Sequence, residues 1–397
     1  MVVELARNIR LVLAETAWSF RRNNGLRAAS SLAFSLAIAL IPALLLVTAI
    51  AGVAVGSSQA ALARVQVVLQ QLLPEYSREI LREVRNLAAY RGAISAINAL
   101  ALLLTVTPLV SSLRDVLGAV FRRPPGRSFL IEKLYDAALT IVFLVGITAI
   151  GLMGLVVSVV EKQLPLSVPY NTFGTLVLFL FLVITVFLLY AAFSSGMPKR
   201  FLAWGALAAT VLWLMMRPLF HLFIAFNPGY GFAFGSFKSL FVVIIWLYYS
   251  LIVFLLGAEF AAALDRRELA AVRRLMAGSR DVPLSVAGRC LVRYRQGDRI
   301  FTRGDAGGTL FYVLRGSVTI GQGQRELTTV REGQYLGMVS FLLDTPRIAS
   351  AVAAEDAELV MIDRQNIGGL LQESPQLIHA MLREIAGRMA DTTRMHE

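Results

Sequence analysis

Long uncharged apolar runs fill most of the chain before residue 265. Six of them are each long enough for the roughly 20 residues that a membrane-spanning helix needs. They cover residues 28–54, 93–117, 134–160, 172–194, 202–225 and 239–263. The pattern therefore predicts an α-helical polytopic membrane bundle with six transmembrane helices.

The segment before the first run has the period of an amphipathic helix. Residues 4–22 place six apolar side chains on one helical stripe, namely Leu5, Ile9, Val12, Leu13, Ala17 and Phe20. Such a helix lies in the membrane interface or packs on the bundle, and the sequence leaves both readings open. The link after the first run predicts two further amphipathic helices, broken near Pro74, on the outer face.

Beyond Asp265 the hydrophobic period changes. Residues 265–284 predict a charged helix followed by a Gly, Ser and Pro break, which is typical of a linker. Short β-rich runs then alternate with glycine-containing turns, at Arg299–Phe301, Leu310–Leu314, Ser317–Ile320 and Leu359–Ile362. A helical stretch from about residue 366 to 389 closes the chain. We therefore predict a membrane domain over 1–264, a linker over 265–284, and a C-terminal β-roll with flanking helices over 285–397.

The net charge of +12 changes the picture through its placement. Arginines cluster beside the apolar runs, which is typical of positive-inside topology signals and not of a phosphate-binding stripe. The links after the second and fourth runs are basic, so both termini are expected in the cytoplasm of a bacterium, with the runs in its inner membrane. We expect no nucleic-acid partner, and no helix-turn-helix pattern follows the β-roll.

Cys290 is the one cysteine of the chain, so no disulfide forms within it and no cysteine metal site is available. The N-terminal residues lack the short apolar region and small-residue cleavage site of a secretory leader. We therefore expect the first span to act as its own signal.

Residues 291–363 contain the stretch RYRQGDRIFTRGDAGGTLFYVLRGSVTI and, after it, GQYLGMVSFLLDTPRIASA over 333–351. These motifs resemble the cyclic-nucleotide-binding domain of catabolite-activator-type regulators, kinase regulatory subunits and nucleotide-gated channels. The second motif corresponds to the phosphate-binding cassette of that family. There, the backbone amides at the start of a short helix and one arginine hold the cyclic phosphate.

The resemblance implies a role for each matching position. Arg347 is the phosphate partner, Gly337 offers backbone amides, and Ala349 and Ser350 line the same wall. Met338 stands where nucleotide-binding members have a glutamate that accepts a hydrogen bond from the ribose, a bond worth about 1.5–3 kcal/mol. Three readings stay open: a weak or atypical cyclic-nucleotide site, a site for another small anionic ligand, and a β-roll kept as an interaction module.

Residues 20–263 resemble the YihY/BrkB family of inner-membrane proteins, some of which carry the old label ribonuclease BN. The resemblance is carried by AASSLAFSLAIALIPALLL, MPKRFLAWGALAATVLW and IIWLYYSLIVFLLGAEFAAAL. It implies a helical bundle without a settled activity. Metal-dependent RNA hydrolysis needs clustered ligands, whereas His221, His379 and His396 are scattered. We therefore predict neither catalytic residues nor a metal site, and no enzyme.

A few ionisable residues lie inside the apolar runs. Such groups are costly at membrane depth and usually face a cavity or a partner. Arg217 and His221 are in the fifth run, Glu259 is in the sixth and Asp136 begins the third. We expect Arg217 to be functional and able to pair with Glu259. For Glu259 and Asp136, a position in the headgroup region at a helix end is the competing reading.

The leading hypothesis is a transporter, an exporter or a lipid flippase whose activity depends on ligand binding to the β-roll. A ligand-gated channel is the alternative, but only about a dozen residues separate the last two runs, too few for a pore helix and filter. A membrane-tethered scaffold is the third. Homo-oligomerisation through the apolar stripe of residues 376–390 is compatible with the sequence, as is packing of that stripe on its own roll.

Overall fold

The computed structural model describes residues 2–55, 96–122, 170–194, 196–227, 238–279, 281–323 and 325–364, together with Ile367, Leu370 and Leu382. It contains two compact units. The helical unit is Thr16–Ala263, and the β-roll unit combines Met1–Glu15 with Leu264–Glu397. The third apolar run, the amphipathic link after the first run, Asp136, and most of the closing helical stretch with its apolar stripe lie outside the described residues.

Helices account for the described part of the helical unit. In chain order they are α1 (Val2–Arg22), α2 (Gly25–Val55), α3 (Ala96–Val120), α4 (Tyr170–Phe193), α5 (Lys199–Phe226) and α6 (Lys238–Asp265). The last five coincide with five of the predicted apolar runs. Among the described residues, two helices, Lys199–Phe226 and Leu240–Asp265, are long and apolar enough to cross a membrane.

Helices α5 and α6 approach each other most closely where both carry glycine. A Cβ added at Gly257 would lie 2.5 Å from the Ala209 Cβ and 2.8 Å from the Gly205 carbonyl oxygen. A Cβ added at Gly205 would lie 2.6 Å from the Ala261 Cβ. Two Gly-xxx-Ala patterns therefore meet face to face, which is the small-residue packing that lets membrane helices come close.

The phenol of Tyr190 in α4 packs against the same crossing of α5 and α6. Its hydroxyl donates a hydrogen bond to the carbonyl oxygen of Phe254 at 2.5 Å, and its side chain is fully buried. The ring packs edge-on against Phe121, with 5.9 Å between the ring centroids. Because a buried hydroxyl needs a partner, this bond fixes how α4 lies on α6.

Helix α1 has two different faces. Its buried side chains cover about half of the helix circumference, since Leu11 and Phe20, nine residues apart, lie on opposite sides; they are Leu11, Val12, Glu15, Thr16, Ser19 and Phe20. The predicted stripe is divided between the faces, because Val12 and Phe20 are buried whereas Leu5, Ile9 and Leu13 are 51 to 60% exposed. The polar side chains of Glu15 and Ser19 are buried, although the sequence pattern predicted that apolar residues would be. Hydrophobicity alone therefore could not identify the buried positions of α1.

Eight strands form the β-roll unit's two antiparallel sheets. They are β1 (Leu291–Tyr294), β2 (Arg299–Phe301), β3 (Thr309–Arg315), β4 (Val318–Gln322), β5 (Arg325–Val330), β6 (Tyr335–Leu336), β7 (Ser350–Ala353) and β8 (Ala357–Asp363). The sheet orders are β1-β8-β3-β6 and β2-β7-β4-β5. The four strands predicted from the sequence are confirmed as β2, β3, β4 and β8. Alternating inward side chains such as Val313 and Leu359 are fully buried between the sheets.

The charged helix predicted at the start of the segment 265–284 is confirmed, and it belongs to the β-roll unit. Helix α7 (Arg267–Met276) buries Leu269, Val272 and Leu275 in the same cluster as Leu11 of α1. Arg273 of α7 donates to the carboxylate of Glu15, which is 2% exposed. The sequence pattern located this helix but did not show that one of its arginines has a buried partner in α1.

Cys290 ends the short helix α8 (Leu284–Cys290) and is 4% exposed. Burial, together with the nearby carboxylates of Glu268 and Asp363, raises the pKa of its thiol to about 11. Because the thiolate is the reactive form, the folded thiol is nearly inert at neutral pH. It packs in one cluster with Met338 and Phe341, so its reactivity reports opening of this core.

Candidate functional site

The cassette follows β6 as a sharp turn and a short helix. Gly337 has φ +80°, a left-handed conformation that favours glycine, and it precedes helix α9 (Met338–Leu343). Asp344 ends α9, also in a left-handed conformation at φ 56°. The Ser340 hydroxyl donates to the Pro346 carbonyl oxygen at 3.2 Å, which folds the loop after α9 back onto the helix.

Arg347 lies inside this fold and not on its surface. Its side chain is 4% exposed. The guanidinium carbon lies 4.3 Å from the ring centroid of Phe301 and 5.9 Å from that of Phe311. Nη1 donates to the Gly337 carbonyl oxygen at 3.0 Å, and Nη2 donates to the carbonyl oxygen of Thr309. The cation is therefore held by two aromatic rings and two carbonyl dipoles.

The backbone of Arg347 is held as firmly as its side chain. Its amide donates to the Asp305 carbonyl oxygen, and its carbonyl accepts from the Gly304 amide, both at 2.8 Å. Burial lowers the pKa of the Arg347 guanidinium, while the Asp305 carboxylate opposes that change. An arginine remains charged throughout the physiological range, so a positive charge is fixed inside the roll.

One hydrogen-bond donor of the Arg347 guanidinium has no acceptor. Among the side chains that the structure describes, its Nε is the buried nitrogen without a hydrogen-bond partner. A buried donor without an acceptor costs about 1–3 kcal/mol. An anion that reached the guanidinium would recover this cost and supply a charge-assisted bond.

The other predicted cassette residues occupy different positions around Arg347. Gly337 contacts it through its carbonyl oxygen. Ala349 is 6% exposed, and the Ser350 hydroxyl at the start of β7 accepts from the Arg303 amide at 3.0 Å. Met338 is 3% exposed and belongs to the hydrophobic cluster with Phe341. Methionine at this position thus packs in the core, a place where an unpaired carboxylate would be costly.

Replacing Gly337 by alanine should destabilise the β-roll unit more than replacing Gly333 does. Both glycines have positive φ, at 80° and 84°, so each alanine costs about 1–2 kcal/mol from the backbone. A Cβ at Gly337 would also lie 2.1 Å from Nη1 of Arg347, whereas one at Gly333 meets nothing within 4 Å. We expect about 1–3 kcal/mol of additional loss, measured through the rate at which Cys290 becomes reactive in urea. Equal losses of stability for the two variants would show that Arg347 moves away from the new Cβ without a cost in free energy.

Glu259 of the helical unit is buried at 1% exposure. Its Oε1 accepts a hydrogen bond from Nδ2 of Asn23 at 2.5 Å. Asn23 lies in the turn between α1 and α2, so this contact ties α6 to that turn. Glu259 thus lies in the packed interior of the helical unit, close to the turn that joins the ends of α1 and α2.

Arg217 and Glu259 do not pair. Glu259 lies next to the crossing of Gly205 and Gly257, and Trp213 of α5 already reaches Ser250, with 3.2 Å between Nε1 and Oγ. Arg217 lies about three turns beyond Gly205, which is about 18 Å along α5. It is half-buried, and no described residue forms an ion pair with it; His221, one turn further, is exposed. The antiparallel direction of α6 separates the two charges, which the sequence could not show.

Some residues of these sites were missed by the sequence analysis. Phe301, Phe311 and Thr309 surround Arg347, yet they precede it by 36 to 46 positions and meet it only through the strand pairing. Asn23 lies outside every apolar run. The Gly-xxx-Ala patterns at Gly205 and Gly257 were visible in the two quoted motifs, and small-residue spacing was the signal that would have found them.

Comparison with known proteins assigns both parts of the chain. Residues 17–280 match the family described as virulence factor BrkB, and residues 291–374 match the cyclic nucleotide-binding domain. The cyclic AMP receptor protein of Thermus thermophilus is 34% identical over 116 residues, which are 28% of this chain and 53% of that protein. The solved structure of the catabolite activator protein of that organism is 31% identical, covers 28% of this chain and 55% of its own, and superimposes with a TM-score of 0.25.

The helical part is similar to proteins known as membrane proteins. The UPF0761 membrane protein of Azotobacter vinelandii is 28% identical over 201 residues, which are 49% of this chain and 47% of that protein. The chain thus spans about half the length of these two curated relatives. Because the first family match covers well over half of the sequence, this chain belongs to the virulence factor BrkB family of membrane proteins and carries a C-terminal cyclic nucleotide-binding domain.

Proposed function

We propose that this chain is a six-span inner-membrane protein with cytoplasmic termini, which moves a solute or a lipid and is regulated by a small anionic ligand. A cyclic nucleotide is the favoured ligand, because a relative with 34% identity over this region is named a cyclic AMP receptor. The observation that carries the regulatory half is the buried guanidinium of Arg347, whose Nε has no described acceptor.

The hydrogen bonds of Arg347 suggest how binding would act. The guanidinium is bonded to the carbonyl oxygens of Gly337 and Thr309, which lie at the start of the cassette and in β3. A phosphate would compete with these carbonyls because a charged acceptor forms the stronger bond. Moving Arg347 would release Gly337 and with it the start of α9. Two states that bind the ligand unequally are what regulation requires.

A cavity supports the transport half of the proposal. It lies in the helical unit, has a volume of about 260 Å³ and is lined by side chains of five helices, among them Leu36, Leu109, Val186, Trp213 and Ser250. Its lining is almost wholly apolar. A space of this chemistry suits an acyl chain better than an ion, so a lipid is the favoured cargo.

The test of regulation is calorimetric titration of the full-length protein in nanodiscs with cyclic AMP, cyclic GMP and cyclic dinucleotides. Arg347→Lys keeps the charge but loses the forked donor geometry. We expect binding that weakens about ten- to hundredfold in this variant, since a charge-assisted bond contributes about 1.5–3 kcal/mol. Arg293→Lys is the matched control, because Arg293 lies exposed on β1 and pairs with Glu358.

Either of two results would contradict regulation by a cyclic nucleotide. One is the absence of binding by all the nucleotides to the full chain, which would favour a docking role for the β-roll. The other is binding that Arg347→Lys leaves unchanged. Transport is tested separately in proteoliposomes, by the rate at which labelled phospholipid crosses the bilayer with and without the ligand. A rate equal to that of protein-free vesicles would contradict the lipid-moving function.

A further inference from the structure

The exposed face of α1 carries an apolar stripe that no contact among the described residues explains. Leu5, Ile9, Leu13 and Ala17 follow one another at intervals of four residues, and all four are exposed. The first three are 60, 51 and 54% exposed. Side chains four apart share one face of a helix. Burial inside the β-roll unit is already provided by the opposite face, through Leu11 and Glu15.

Basic side chains flank this stripe on one side. Arg10 follows Ile9 by one residue, which places it about 100° around the helix axis, and its side chain is 77% exposed. Arg21, eleven residues after Arg10 and so on the same side of the helix, is also exposed. An apolar stripe beside exposed arginines is the arrangement of a helix that lies in the surface of a bilayer, with its apolar side among the upper acyl carbons and its cations near anionic headgroups.

The position of α1 in the chain brings it to lipid. Asn23 and Asn24 alone separate it from α2, whose Phe34 and Ile38 are 63 and 49% exposed. The stripe of α1 is thus as exposed as the apolar side chains of the following helix, which belongs to the family's membrane part. A bilayer is a partner that would contact the exposed apolar side chains of both helices.

We propose that the Leu5–Ile9–Leu13 stripe of α1 binds the surface of a phospholipid bilayer containing anionic lipids. The opposite face of the same helix belongs to the β-roll unit, where Asn8 reaches Ser285 at 3.2 Å. Arg10, at the flank of the stripe, also pairs with Asp281 at 2.9 Å. The β-roll unit is therefore attached to lipid through one of its own helices, in addition to its chain connection. This inference does not depend on ligand binding or on transport.

The test places a nitroxide at single engineered cysteines in the full-length protein, in vesicles of phosphatidylcholine and phosphatidylglycerol. Ile9→Cys and Leu13→Cys probe the stripe, and Arg10→Cys probes the flank. Because the stripe is exposed, the labels disturb no packing. The native Cys290 is buried and does not react, which the unsubstituted protein verifies. We expect collisions with oxygen to exceed those with a soluble nickel complex several-fold at 9 and 13, and the reverse at 10.

Two other outcomes would overturn the proposal. Frequent collisions with the nickel complex at all three sites would show that the stripe lies in water. Few collisions with either reagent at 9 and 13 would show that protein covers it, and spin–spin broadening in that case would identify a second copy of the chain. No ligand is present in the experiment, so its result is independent of the calorimetric test.

Discussion

Replacing Gly257 by alanine should destabilise the helical unit, although alanine is the better helix former. The new Cβ would lie 2.5 Å from the Ala209 Cβ and 2.8 Å from both the Gly205 carbonyl oxygen and the Tyr190 hydroxyl. Two of these neighbours have no rotamer through which they can yield, so α5 and α6 must separate. We expect a loss of about 1–3 kcal/mol or more, seen as a lower midpoint for heat-induced loss of the monodisperse protein in detergent.

Gly288→Ala is the matched control for this substitution. Gly288 lies in α8, and a Cβ there meets nothing within 4 Å. Alanine is favoured over glycine inside a helix by about 1 kcal/mol, so the same chemical change should be neutral or slightly stabilising. Gly205→Ala should resemble Gly257→Ala, because its Cβ would lie 2.6 Å from Ala261. A stabilising effect of Gly257→Ala would mean that the helices do not touch at this crossing.

Replacing Arg273 by alanine should open the β-roll unit. Glu15 is 2% exposed and Arg273 is 20% exposed, so the variant leaves a buried carboxylate without the cation that offsets its desolvation. Breaking a buried ion pair by removing one partner costs about 3–5 kcal/mol. The reactivity of Cys290 measures this loss, because the thiol is in the same core as the α7 residues and reacts only when that core opens.

Two comparisons separate the ion pair from general damage. Arg293→Ala removes an exposed arginine that pairs with Glu358 and should cost no more than about 1 kcal/mol. The double variant Glu15→Leu, Arg273→Met replaces both charges by apolar side chains of similar size, and should recover most of the stability. If Cys290 reacted no faster in Arg273→Ala than in Arg293→Ala, the ion pair would not contribute to the stability of the β-roll unit.

The sequence predicted those features that depend on local pattern. Strands β2, β3, β4 and β8 were located because alternating apolar residues end at glycine turns, as at Gly304 and Gly316. Arg347 was located because the cassette motif is contiguous. The family of the membrane part was recognised for the same reason, since its motifs are unbroken runs of residues.

Features that depend on distant pairing could not be predicted. The hydrogen bond between Asn23 and Glu259 joins residues 236 positions apart. The ion pair of Glu15 and Arg273 joins residues 258 positions apart. Without these partners, two readings of Glu259 stayed open, and the helix within residues 265–284 could not be assigned to the β-roll unit. From the sequence, Met338 was interpreted as the loss of a hydrogen bond to the ligand. Its burial could not be predicted, because it depends on how α9 packs and not on the neighbouring residues in the sequence.

The shared use of α1 has a consequence for the order in which the protein can be made. Leu11 and Glu15 emerge from the ribosome early, but their partners in α7 follow about 258 residues later. At about 5–20 residues per second, the interval lasts roughly 13 to 50 seconds. During that time the Glu15 carboxylate and its apolar neighbours in α1 are not covered by α7, while the apolar helices between α1 and α7 enter the membrane. The β-roll unit therefore closes last, and only around a helix synthesised first.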